Sequence, residues 1–144
     1  MHRLIPHAIA ALGIALSSSA AMADGPLVGE RWKTRPVVVV VSEANDPLLA
    51  KVRAALKEPV AREAFRERDM SLYVIAAGQG SRNDVPLEPQ QTEALLHALD
   101  LNADGPSTFV LVGKDGGVKM REGADVDLQA VFENIDRMPM RNQR

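Results

Sequence analysis

The chain predicts an α/β domain: a central mixed sheet of about four strands flanked by helices, in the order β-α-β-α-β-β-α. Three observations carry this. Val37-Val38-Val39-Val40-Val41 is apolar without alternation, as in a strand covered on both faces. A long, helix-patterned connection separates it from a second apolar run at 71–77, SLYVIAA, so the two strands pair in parallel as a right-handed βαβ unit. Further on, STFVLVGKDGGVKMR at 107–121 reads as a strand, a tight turn and a returning strand.

Taken in order, residues 1–23 read as a secretory signal peptide. Met1-His2-Arg3 gives a positive start, an apolar stretch runs from Leu4 to Leu16, and Ala21-Met22-Ala23 supplies small residues for cleavage after Ala23. That apolar stretch is shorter than the roughly 20 residues a membrane-spanning helix needs. A lipoprotein would need a cysteine at the cleavage point, and the chain has Cys 0. The expected product is periplasmic or secreted, without stable membrane insertion. Its remaining ~120 residues suffice for one core and are too few for two.

A leader at 24–35, notable for Trp32, precedes the domain proper at 36–138. After the valine strand, Asp46-Pro47 forms a helix start, with a carboxylate cap followed by proline at the first helical position. Leu48, Leu49, Val52 and Leu56 share the inward face. Pro59 restarts the helix. Val60, Ala61, Ala64 and Phe65 continue the stripe, while Arg62, Glu63, Arg66, Glu67 and Arg68 are expected to face water. The stretch 78–89, GQGSRNDVPLEP, reads as a polar, mobile loop. A third helix follows, with Thr92, Leu95, Leu96 and Leu99 inward, then the hairpin. The last helix has Leu128, Val131, Phe132 and Ile135 at i, i+3, i+4, i+7, an acidic entry at Asp125 and Asp127, and a stop at Pro139. A short C-terminal tail occupies 139–144.

Composition removes several classes of function. The net charge is −2, one unit more negative without Arg3, and aromatics are 3%. A nucleic-acid binder's basic footprint and stacking platform are both missing, so nucleic acid is not an expected partner. With no sulfur nucleophile, thiol exchange and thiol-based peroxide reduction are impossible, and no disulfide can staple the exported domain.

Two resemblances add to this reading. PSTFVLVGKDGGV is similar to the thioredoxin segment in which a loop proline precedes a hydrophobic strand, a polar glycine turn and the last strand. RWKTRPVVVV, AFRERDMSLYVI, VGKDGGVKMR and IDRMPMR together resemble a domain-of-unknown-function family of exported bacterial proteins, related to a domain in animal sushi-repeat and matrix-associated proteins. That resemblance implies a thioredoxin-like fold and no established activity. Where working thioredoxins carry their redox loop, this chain has Ser42-Glu43-Ala44-Asn45-Asp46-Pro47. Pro106 stands one residue further from the strand's threonine than the thioredoxin cis-proline does, which favours a trans turn residue.

The expected contact site is the loop after the first strand, Ser42, Asn45 and Asp46, with Ser107 and Thr108 opposite. A helix start offers free backbone N–H groups there, and parallel sheets bind ligands at such crossover points. The first reading is a non-redox binding module with an unknown protein or small-molecule ligand and no cofactor. The alternatives are an enzyme using carboxylates such as Glu43 and Asp46, or a metal, at the same end of the sheet, and an envelope structural or interaction protein. Asp100, Asn102 and Asp104 begin a calcium-loop pattern, D-x-N-x-D-G, but Leu111 holds the twelfth position, where a glutamate is needed. A helix-ending turn accounts for the same residues. His97, the single histidine after residue 23, is placed on the solvent side, which leaves no Ser-His-Asp site. Met120, Met138 and Met140 either complete a core or form an adaptable contact surface.

Overall fold

The computed structural model describes residues 25–139. The expected signal peptide, Met140 and the rest of the tail lie outside the described residues. A single turn of 3-10 helix, Pro26–Glu30, leads into β1 (Arg35–Val41), α1 (Pro47–Lys57), α2 (Pro59–Glu67), β2 (Met70–Ala76), β3 (Gln79–Arg82), β4 (Val85–Pro86), α3 (Pro89–Leu99), β5 (Thr108–Val112), β6 (Val118–Glu122) and α4 (Leu128–Asp136).

The sheet order is β4-β3-β2-β1-β5-β6, with β1 parallel to β2 and every other neighbouring pair antiparallel. β1 is the middle of the fold, and all seven of its residues are buried. Its valines divide between two cores. Val37, Val39 and Val41 pack with Leu48, Val52, Leu72, Phe109 and Val131 under α1, α2 and α4. Val38 and Val40 pack with Tyr73, Ile75, Leu95 and Val110 under α3. Removing each such side chain from water contributes about 1.5–3 kcal/mol, which explains how a chain without disulfides holds its shape.

The sheet has six strands where about four were expected, and the excess comes from the stretch 78–89. Two consecutive tight turns fold it. Ala77 and Gly78 have φ of 51° and 78°, and Asn83 and Asp84 have 46° and 67°. Positive φ at both central residues is the mirror-image turn that matches strand twist. The first turn lays β3 against β2, with Ala76 opposite Gln79, and the second returns β4 along β3. A composition that reads as loop is therefore strand and hairpin, because the two turns set the pairing despite the polar side chains.

The remaining elements follow the expected pattern with two exceptions. In α1, Leu48, Leu49 and Val52 are buried, and in α3 Thr92, Leu95, Leu96 and Leu99 are buried. Asp127 caps α4, accepting from the Gln129 N–H at 2.9 Å. Val60, however, is 83% exposed: the face of α2 packed against the core is the half-buried pair Ala64 and Phe65, and Val60 stands off it in the first turn. Arg68 faces inward. Its guanidinium donates twice to Asp136, at 3.0 and 2.8 Å, donates to the Ala64 carbonyl, and lies 4.9 Å from the Phe132 ring centre, tying the end of α2 to α4. On α2, Arg66 pairs with Glu63 one turn back, at 2.8 Å.

Candidate functional site

At the carboxyl end of β1, two of the five expected contact residues, Asp46 and Ser107, are in direct contact. Asp46 is the cap of α1, and one of its oxygens accepts from the Leu48 N–H at 2.8 Å. Its other oxygen accepts from Ser107 Oγ at 2.6 Å, across to the segment that enters β5. That hydroxyl binds the loop after β1 to the loop before β5. Thr108 sits opposite Val40 in the ladder, and its hydroxyl donates to the Pro106 carbonyl at 2.8 Å. No peptide bond among the described residues is cis, so Pro106 is a trans turn residue.

These bonds sort the site residues by what they can still do. Both Asp46 oxygens are occupied by internal donors, so this carboxylate positions the loop. Ser42, Glu43, Ala44 and Asn45 are exposed around it. Glu43 is an exposed carboxylate whose sequence partner for acid-base work, Asp46, is already engaged. What the loop presents is a hydroxyl, a carboxylate and an amide on a rigid base.

Asp100, Asn102 and Asp104 lie elsewhere, after α3. Asp100 has φ 54° and ends the helix, its N–H donating to the His97 carbonyl at 3.1 Å, while the Leu101 N–H donates to Leu96. Asn102 and Asp104, with Glu93, Leu96 and Leu101, line an open hollow of about 430 Å³. Among the described residues no group of three or more Asp, Glu or His side chains is arranged to hold a metal ion. His97 is exposed, as its place in the helix pattern implies.

The amino end of β1 holds a cluster that sequence reasoning missed. Glu30, in the 3-10 turn, is only 6% exposed. Its carboxylate accepts from Tyr73 Oη at 2.7 Å, from Arg82 Nε at 2.5 Å and from Thr34 Oγ1, and Thr34 in turn is 3.2 Å from Ser71 Oγ. Burial acts to raise the Glu30 pKa. The hydrogen bonds from Arg82, Thr34 and Tyr73 together outweigh it and hold the carboxyl below its ordinary value. Burial, followed by the bond to Glu30, pushes the Tyr73 hydroxyl well above its ordinary range, so it remains a donor. The leader is thus sewn onto β2 and β3. Nothing in the sequence flags Glu30, because glutamate is seldom buried unless paired and its partners stand far along the chain.

Just beyond this cluster Trp32 is 67% exposed, with φ at 66°. A bulky residue in the left-handed region is held there only where its surroundings insist. Here the Trp32 N–H donates to the Lys114 carbonyl at 2.7 Å, and the Lys33 and Thr34 N–H groups donate to the Glu30 carbonyl. Trp32, Gly113, Lys114, Asp115, Lys119, Met138 and Pro139 line a cleft of about 240 Å³.

Residues 26–144 match the family described as "Domain of unknown function (DUF4174)". The chain belongs to this family. No curated protein and no solved structure matches it. The DUF4174 domain therefore takes in the 3-10 turn and Glu30 as well as the sheet. Among its described residues no helix is long and apolar enough to cross a membrane.

Proposed function

We propose that this chain is an exported, non-redox binding module of thioredoxin-like fold, and that it meets its ligand at the carboxyl end of β1. The fold assignment is supported by the four central strands. Their order β2-β1-β5-β6, with β5 antiparallel to β1, α1 and α4 on one face and α3 on the other, is the one expected of a thioredoxin-like core. The β3-β4 hairpin is an addition at the β2 edge. Export is supported by the charge and apolar pattern of residues 1–23 and by a family match that begins shortly after Ala23.

The observation that carries the site is the Ser107–Asp46 hydrogen bond, which fixes two loops into one surface while Ser42, Glu43 and Asn45 remain exposed. A thioredoxin places its reactive loop here. With oxygen and nitrogen groups alone, this chain offers recognition by hydrogen bonding, and Asp46 serves as a positioning residue. A photocrosslinking side chain replacing Asn45 in cells tests this against one replacing Gln90 on α3. A discrete adduct at position 45, absent at position 90 and competed by excess unmodified domain, is expected. Identical products from both positions would remove the site, and an unprocessed amino terminus in the purified protein would remove export.

A further inference from the structure

We propose that the cleft beside Trp32 is a second binding site, for an acidic peptide segment that inserts one apolar side chain. Four features of the cleft point this way. Its walls are mostly carbon, formed by Trp32, Met138 and Pro139 over the backbone of Gly113, and its volume of about 240 Å³ suits a single side chain. Trp32 is held outward in a left-handed backbone conformation, where the interior gains little from an indole that is 67% exposed. A large aromatic kept in that state is a common property of ligand clamps. Met138 supplies an adaptable wall.

Charge selects the occupant. Lys114, Asp115 and Lys119 line the cleft, and Asp69 and Asp115 neutralise the two lysines at 2.8 and 2.9 Å. Arg31 and Lys33, on either side of Trp32 in the chain, are exposed and form no ion pair among the described residues. Arg31 crosses Gly116, where a Cβ would stand 2.7 Å from its Nε, so the β5–β6 turn at φ 86° leaves room for the guanidinium. Two unmatched cations flank Trp32 in the chain, one of them laid across the turn that bounds the apolar slot, and they complement a carboxylate-bearing peptide. The concavity favours an inserted side chain over the flat surface of a lipid bilayer.

The chain has a single tryptophan, so its emission reports on this cleft alone. The probe is an acetylated peptide carrying one leucine between two pairs of aspartates. Its lysine counterpart and phosphatidylglycerol vesicles are the controls. The aspartate peptide is expected to move Trp32 emission to the blue, with a response that weakens as salt rises. Charge reversal at Arg31→Glu with Lys33→Glu should weaken binding by about tenfold. Trp32→Gly, which suits the backbone better than tryptophan does, should fold and lose peptide heat in calorimetry. Three results would overturn the proposal: a shift with vesicles alone, an equal response to the lysine peptide, or a red shift on deleting 140–144 that puts the chain's own end in the cleft.

Discussion

The two ends of β1 handle their polar groups in opposite ways. At the carboxyl end, near the surface, Asp46 caps a helix and accepts from Ser107 across two loops, and Thr108 bonds back to Pro106 in its own segment. At the amino end a carboxylate goes inside, gathers donors from β2 and β3, and leaves an indole outside. The difference teaches that the position of an ionisable group says little about its task until its partners are counted. Asp46, expected both to cap a helix and to meet a ligand, gives both its oxygens to internal donors, whereas Glu30, which the sequence does not single out, fastens the leader to the sheet.

This comparison can be broken first at its buried end. Glu30→Ala strands the Tyr73 hydroxyl inside and is expected to cost about 3 kcal/mol in urea unfolding. Because folding lowers the Glu30 pKa, its contribution is fully present above the ordinary value of 4.5 and is lost as pH falls through the lower folded value. The variant should therefore lose less stability on acidification than the parent, and an unchanged acid limb would contradict the network. Asp46→Ala removes both the cap and the Ser107 acceptor, at about 2 kcal/mol, whereas Asp46→Asn keeps a good cap and should cost less than about 1 kcal/mol.

Ser107→Ala alone should cost about 1 kcal/mol, and a double-mutant cycle with Asp46→Ala should show coupling of similar size; strict additivity would mean that the two loops are not joined. None of these changes at the carboxyl end should move Trp32 emission. The smallest effect is expected at Trp32 itself. Trp32→Gly relieves a left-handed residue and should leave stability unchanged or raise it by up to about 1 kcal/mol. A loss larger than that would make the indole a structural part of the fold.

The central fold was legible because its signals are local and strong. Five valines in a row mark a strand buried on both faces, Asp46-Pro47 marks a helix start, and the spacing of Leu128, Val131, Phe132 and Ile135 marks a face. The β3-β4 hairpin was not legible. Its turns use Ala77-Gly78 and Asn83-Asp84, weaker than the usual asparagine-glycine pair, and its strands carry Gln79, Gly80, Ser81 and Arg82 instead of β-formers. Arg68 was misplaced because a charge at the end of an amphipathic helix ordinarily faces water, and its partners on α4 are 68 residues away for Asp136. The proposed contact loop was chosen through the fold, but the bonding of Asp46 depends on Ser107, 61 residues downstream, a pairing that no local pattern records.

The attachment of the first turn also sets an order of events. Tyr73 and Arg82 lie 43 and 52 residues beyond Glu30, so the earliest part of this domain to be synthesised has nothing to grip until β2 and β3 have emerged. A nascent chain halted before residue 82 lacks the Arg82 donor to Glu30, and one halted before residue 114 lacks the carbonyl that holds the Trp32 N–H. The start of the domain is thus fastened only by residues more than forty positions downstream.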